Sequence, residues 1–517
     1  MNLVAATDKL NELQQYFNPI VNDFCRYGKA FPISNAFYFY DTGTGKVIEC
    51  SKDEYMVLSS WQQYKQFANE VTSNMPIQTF IDVLETLKSM MTEENILKAK
   101  LINQFYLPLD VEDKIKNNVN MITLELTERC NLRCLYCIYQ HGNNRFRDFG
   151  NGDMTWDIAK RAIGFEIQHS SGIKDNKRLM LTFYGGEPLI RFDLIKKSVE
   201  YAETAAPNRM WLFSMTSNLT LLTDEMIEFF AQKQFSITVS LDGPREIHDR
   251  QRVFSDGKGT FDACIKNFQK LVLAYGQDAG KLISINSVIT KPYTFEKFNN
   301  IQNFFSSLEW LPADCRFSWS YAQYGSPKTP EEFKKELSRL ASRDNRDLNP
   351  LMEWNSQNAN KENILFTRDH EIRALQGIQD RRIIDWPMDI ASFNACCLPG
   401  SRRVYVTVKG DFKVCERIGE APLIGNVYDG LDMNVIRRIY FNDYQERSLP
   451  ACSKCWAVHL CNVCYAYCMN EQGLDTTVKS LVCERIKYLA ESDLIRYHEL
   501  LKNDAEQLAT ILQLSSQ

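Results

Sequence analysis

The chain has 517 residues, enough for roughly three domains of ordinary size. Its 60 basic and 65 acidic residues nearly cancel, which excludes a basic nucleic-acid stripe and an acidic disordered arm. No uninterrupted apolar run is long enough to cross a membrane, and MNLVAATDKLNEL reaches Asp8 too soon for a signal peptide. A cytoplasmic protein with neither nucleic acid nor membrane as partner is expected.

Residues 31–50, FPISNAFYFYDTGTGKVIEC, predict a β-hairpin, because two aromatic or β-branched runs flank the turn residues Asp41-Thr42-Gly43-Thr44-Gly45. Ser51-Lys52-Asp53-Glu54 is a capping box opening a helix through Met56, Leu58 and Trp61. A second amphipathic helix is expected around Ile77–Met91, with Ile81, Val83, Leu84 and Leu87 on one stripe. These elements predict a small α+β domain over 1–115.

From residue 119 the pattern changes. Six strand-like runs follow: MITLEL, LMLTFYGG, WLFSMTSN, FSITVSLDG, LISINSVIT and CRFSWSYA. Helical patterns such as WDIAKRAIGFEIQ, FDLIKKSVEYAE and EKFNNIQNFF fill most of the gaps. That alternation predicts right-handed βαβ units and a parallel sheet over 116–325, with sites at the carboxyl ends of the strands. Residues 326–390 are more polar and read as a helical connection, which Thr329-Pro330-Glu331-Glu332 would open. Residues 391–517 are cysteine-rich and loop-rich, closed by an amphipathic helix over roughly 484–513.

Sixteen cysteines are unusual for a chain in a reducing compartment, where a disulfide framework is not expected. Three sit at 130–137 and nine between 396 and 483, a clustering that points to metal ligation. Cys25, Cys50, Cys264 and Cys315 are isolated and are assigned to core packing. Cys130, Cys134 and Cys137 have no fourth cysteine nearby, whereas a closed zinc site needs four ligands. A [4Fe–4S] cluster on three thiolates leaves one iron open to another ligand.

With Tyr136 before the last cysteine, this triplet resembles the CxxxCxΦC signature of radical S-adenosylmethionine (SAM) enzymes. Gly185-Gly186-Glu187-Pro188 is similar to that family's GGEP motif, and Thr216-Ser217-Asn218 to its TNG stretch. Ser240-Leu241-Asp242-Gly243, His248 and Arg252 resemble its SLDG…H…R stretch. The motifs cover about 120–325 in the family's order. The resemblance implies a partial (β/α)6 TIM-like barrel holding a SAM-binding [4Fe–4S] cluster. It assigns Gly185, Gly186 and Glu187, with Pro188, to the methionyl amine. Arg252 falls to the carboxylate, Ser240 and Asp242 to the ribose side, Tyr136 to the adenine, and Ser217 and Asn218 to the same pocket.

The C-terminal field resembles the SPASM extension of these enzymes, which holds auxiliary clusters. Its pattern is C…GxxxxC, met by Cys396 or Cys397, Gly410 and Cys415, then Cys452, Cys455, Cys461, Cys464 or Cys468, and Cys483. Position 465, where the family has a cysteine, is Tyr465. The resemblance gives Cys452, Cys455, Cys461 and Cys483 to an outer cluster. It leaves the inner one to Cys397 or Cys396, Cys415, and Cys464 or Cys468. Two zinc-ribbon sites are the competing reading. His459 is expected as a surface residue.

SPASM enzymes mostly modify peptides and proteins. Maturases of ribosomally made peptides (RiPPs) carry an N-terminal winged-helix-like unit that takes up a leader peptide as an added strand, and residues 31–115 resemble that layout. A thioether cross-link on a precursor peptide, with flavodoxin or ferredoxin as electron donor, is the expectation. Anaerobic sulfatase maturases, which form formylglycine, are the alternative; they have Asp where this chain has Glu416, here assigned as the catalytic carboxylate. A non-catalytic iron–sulfur or zinc protein is the third possibility.

Overall fold

The computed structural model describes residues 3–67, 75–139, 146–173, 178–322, 354 and 368–513. The proposed helix start at Thr329–Glu332 and most of the 326–390 connection lie outside these residues; within that connection a helix runs over Arg368–Gln379.

The N-terminal part opens with a helix over Leu3–Asn22, which sequence reading did not anticipate. Three antiparallel strands follow: β1 (Gly28–Ile33), β2 (Ala36–Asp41) and β3 (Val47–Cys50). The expected hairpin is β2–β3, and Phe31-Pro32-Ile33 forms an additional strand paired with β2. Pro32 cannot donate to a ladder, which suits β1 to an edge. Helices Lys52–Tyr64 and Ile77–Glu93 complete the unit. The capping box forms as expected, with Glu54 N donating to Ser51 Oγ and Ser51 N donating to Glu54 Oε2. Phe17, Phe24, Leu58, Trp61, Phe80 and Leu84 are fully or nearly fully buried in a core of its own.

All six expected strands form: β5 (Met121–Thr127), β6 (Arg178–Gly185), β7 (Met210–Ser217), β8 (Ser236–Ser240), β9 (Ile283–Ile289) and β10 (Arg316–Tyr321), after a two-residue β4 (Gln104–Phe105). They are parallel and stand side by side in sequence order, with helices Trp156–Gln168, Phe192–Ala205, Asp224–Gln232, Phe261–Tyr275 and Phe295–Ser306 between them. Alternation puts Leu181, Phe183, Phe213, Met215, Ile237, Val239, Ile283 and Ile285 in the core. The opposite face is polar and half-buried: Thr182 shares a hydrogen bond with Ser214 (2.8 Å) and Thr238 with Ser284 (3.0 Å). The protein is thus an α/β fold with a large parallel sheet whose second face can receive polar ligands.

The cysteine-rich region is less loop-like than expected. After β11 (Ile390–Ala391), which pairs with β4, β12 (Arg403–Val406) joins the large sheet parallel to β5. Strands β13 (Asp411–Lys413), β14 (Gly425–Asn426) and β15 (Gly430–Leu431) extend it to ten strands. These strands are too short for a period-2 pattern to be read from sequence. The C-terminal helix starts at Thr476, capped by Asp475, and ends at Asn503, with a second helix over Ala505–Gln513. Phe31, Ile33, Tyr38 and Tyr40 of the N-terminal sheet pack against Trp456, Leu494, Tyr497 and Leu500. Among the described residues no helix is long and apolar enough to cross a membrane.

Candidate active site and cysteine sets

Strand β5 shifts register between Glu125 and Thr127 at its carboxyl end, and the cysteine loop leaves from that irregularity. The loop is tied to the end of β6 by main-chain bonds: Gly186 N donates to Thr127 O (2.8 Å) and Glu187 N to Arg129 O (3.0 Å). A Cβ on Gly185, which has φ +139°, would lie 2.3 Å from Thr127 O, and one on Gly186 would lie 2.1 Å from Arg129 O. Only glycine permits this approach. On the other side, Arg133 N donates to Val253 O and Leu135 N to Gln251 O.

This clamp gathers Cys130, Cys134 and Cys137, all free and half-buried. Cys130 feels the charge of both other thiols; its own is pushed up to about 12 by burial and then by the nearby Glu187. Burial raises Cys137 to about 11, against a backbone hydrogen bond with Tyr139. Burial also raises Cys134, opposed first by Arg252.

Around the triplet, Glu187 is buried and fully engaged. Its Oε1 accepts from Ser217 Oγ (2.7 Å) and Leu189 N (3.2 Å), and its Oε2 from Asn218 N (2.9 Å). Asn218 in turn donates to Asn131 Oδ1 within the cysteine loop (3.1 Å). Pro188 opens the short turn Pro188–Arg191. Ser240 closes β8 and is buried, as is Asp242 two residues on. Asp242 accepts from the Tyr136 hydroxyl (2.7 Å) and from Val288 N (3.0 Å), and Tyr136 accepts from Arg252 Nη1 (2.6 Å). His248 bonds Thr260 Oγ1 (3.0 Å), whose hydroxyl donates to Arg252 O (2.9 Å). His248 is thus part of the frame that holds Arg252.

The C-terminal cysteines fall into groups. Cys455 feels Cys452 and Cys483, and Cys461 feels Cys483, Cys452 and Cys455. Burial lifts Cys455 to about 11 and Cys461 to about 12. Cys415, at about 12 through burial and then Glu416, also feels Cys464 and Cys397, and Cys464 feels Cys397. Cys396 faces Tyr444 and feels Cys468 and then Cys464, and Cys468 Sγ lies 3.5 Å from Cys464 O. Tyr465 is buried and donates to Tyr440 O (2.7 Å). Glu416 is held by Arg403, whose Nη1 is 3.2 and 3.3 Å from its two oxygens. Tyr184 on β6 lies within electrostatic reach of both Glu416 and Cys137, so the two cysteine regions meet beside it. His459, expected at the surface, is half-buried, and burial lowers its pKa.

Sequence reading missed the partly buried ion pair of Arg147 with Glu125 (2.6 Å) and the pair of Arg129 with Asp153 (2.5 Å) that braces the cysteine loop. Neither carries a motif. It also missed Lys479, whose only signal is its position four residues before Cys483 on a helix.

The residues fit a cluster with a bound SAM. The donor set is three unpaired thiols, the glycine backbone is pressed against their loop, and among the described residues Arg252 Nε is buried without a partner, as an anion-facing guanidinium requires. Among the described residues no three His, Cys, Asp or Glu side chains converge on a single ion. A polynuclear cluster, whose thiolates bind different irons, needs a wider set.

The Radical SAM superfamily model matches residues 124–305. The chain is 33% identical over 137 residues to an uncharacterized protein, MJ0907, of Methanocaldococcus jannaschii, covering 26% of this chain and 43% of that one. It is 28% identical over 242 residues to the cysteine-type anaerobic sulfatase-maturating enzyme of Clostridium novyi, covering 44% and 60%. The matches thus span about half the length of these relatives. A solved structure, tagged anSMEcpe with bound AdoMet, is 19% identical with a TM-score of 0.49, covering 77% of this chain and 99% of that one. Residues 124–305 of this chain form a radical SAM domain.

Proposed function

We propose that this chain is a radical SAM enzyme that oxidatively modifies a residue of a peptide or protein, and that its substrate is a ribosomally made precursor peptide. The observation that carries the first part is the clamp of Gly185–Glu187 on the loop of Cys130, Cys134 and Cys137, with Arg252 Nε, among the described residues, left without a partner. Cys130, Cys134 and Cys137 would hold a [4Fe–4S] cluster. Bound together, cluster and SAM supply one-electron reductive cleavage to a 5′-deoxyadenosyl radical.

The chain's own residues bind and aim. Gly185, Gly186 and Glu187 present backbone to the methionyl amine, and Arg252 its free Nε to the carboxylate. Asp242 and Arg252 fix the Tyr136 ring from both sides of its hydroxyl. Ser217 and Asn218 hold Glu187, and Pro188 starts the turn that carries it. Ser240 lines the ribose side. Burial of Tyr136, Glu187, Asp242 and Arg252 keeps water from the reacting centre.

We assign Cys452, Cys455, Cys461 and Cys483 to an outer auxiliary cluster and Cys397, Cys415 and Cys464 to an inner one, with Cys396 and Cys468 as packing residues. Glu416, held by Arg403 next to Cys415, is the acid–base group assigned to substrate. The N-terminal sheet supports the precursor-peptide reading. Among the described residues strand β3 pairs with β2 alone, so its outer edge can accept a leader strand. The same sheet is anchored to the cysteine region through Thr42 Oγ1 and Trp456 O (2.9 Å). A thioether cross-link, with flavodoxin or ferredoxin as donor, is the reaction we assign.

Similarity to the Clostridium novyi enzyme favours a second reading, formylglycine formation on a sulfatase. One experiment separates the two. The chain is co-expressed anaerobically with short peptides encoded beside its gene, and the peptides are weighed intact. Loss of two hydrogens per site, abolished by Cys130→Ala, supports cross-linking. Unmodified peptides alongside 5′-deoxyadenosine formation would move the assignment to sulfatase peptides. No 5′-deoxyadenosine from reduced protein, with or without peptide, defeats both.

A further inference from the structure

Lys479 is 5% exposed, and its Nζ lies 3.3 Å from Cys452 Sγ. The Tyr444 ring centroid is 5.5 Å away. Among the described residues no carboxylate pairs with it; the negative groups it feels are Cys452, Cys483 and Cys461. A buried ammonium without a counter-charge is costly, and thiolates bound to a cluster would supply that charge. Lys479, Cys483 and Lys487 lie four residues apart on the helix Thr476–Asn503, on one face. Lys487 differs: it is 34% exposed and already donates to Glu484 (2.8 Å).

We propose that Lys479 is a redox-tuning residue of the centre held by Cys452, Cys455, Cys461 and Cys483. This rests on reading that set as an iron–sulfur site. A [4Fe–4S] centre on four thiolates gains one negative charge when it takes one electron from a low-potential donor. A fixed cation and an N–H···S hydrogen bond at Cys452 stabilise the more negative state and so raise its reduction potential. Lys479 thereby makes the outer centre a better electron acceptor than its thiolates alone would make it.

The test uses full-length protein, reconstituted anaerobically, with Cys130, Cys134 and Cys137 replaced by Ala so that the first cluster adds no signal. Potentiometric titration is followed by electron paramagnetic resonance. The outer centre is the signal lost in Cys452→Ala. Lys479→Met should move its midpoint to lower potential, Lys479→Arg should restore it, and Lys487→Met should move it less. An unchanged midpoint in Lys479→Met at full iron content overturns the proposal. Loss of the signal in Lys479→Met but not in Lys479→Arg supports it, because Arg keeps the charge and the N–H donors that Met removes. Loss in both overturns it in favour of simple packing. Absence of any C-terminal signal in the parent defeats the iron–sulfur reading itself, and the proposal with it.

Discussion

Arg252 donates from Nη1 to the Tyr136 hydroxyl at 2.6 Å, its charge acts on Cys134, and among the described residues its buried Nε has no partner. The Nη1 bond ties the guanidinium to the Tyr136 ring. Arg252→Ala should weaken SAM binding to the cluster-loaded protein by about 2–3 kcal/mol, roughly 30- to 150-fold in Kd, the size of a buried charge-assisted hydrogen bond. Tyr136→Phe leaves the charge in place and should cost about 1 kcal/mol. Isothermal titration of both variants checks this; equal losses would mean that the tyrosine does more than hold the arginine.

Two glycines should respond in opposite directions. Gly186→Ala puts a methyl 2.1 Å from Arg129 O, backbone that cannot swing away. We expect a loss of about 1–3 kcal/mol and reduced iron at the triplet. Gly164, inside the helix Trp156–Gln168, has nothing among the described residues within 4 Å of its Cβ position. Gly164→Ala should stabilise by about 0.5–1 kcal/mol. Thermal melts with iron assay distinguish these outcomes.

Cys464→Ala should remove about four irons per chain, the content of one [4Fe–4S] cluster. Cys468→Ala should leave iron unchanged, because Cys464 and Cys397 are the thiols that act on Cys415, while Cys468 acts on Cys396. Iron and sulfide analysis of reconstituted variants decides, and the reverse pattern would exchange the two assignments.

His248 sets an acid limit. Thr260 gives its only hydroxyl proton to Arg252 O, so His248 must donate from Nε2 and present a bare Nδ1 to Asp242 N. Burial first and Arg252 second hold its pKa at about 2, against 6.5 in the unfolded chain. Below pH 6.5 only the unfolded chain takes up the proton, so stability falls as pH drops from 6.5 toward 2, by up to about 1.4 kcal/mol per pH unit. His248→Gln should flatten that slope in denaturant midpoints measured between about pH 6.5 and 4. Parallel curves for variant and parent would contradict it.

The β/α alternation, the capping box at Ser51 and the triplet beside GGEP were all legible in the chain before any folding was considered. Each is local: a period of two or 3.6, a cap, or a spacing along one loop. The C-terminal cysteine field was equally legible, but its grouping was not. Cys464 and Cys468 flank Tyr465 in sequence, and only the tertiary structure brings Cys464 within reach of Cys415 as well as Cys396, with Cys468 acting on Cys396. The pairing of β12 with β5 and the meeting of Glu416 and Cys137 at Tyr184 join residues far apart in the chain, as does the approach of Lys479 to Cys452. Such contacts depend on how apolar faces find one another across the fold, which no local pattern records.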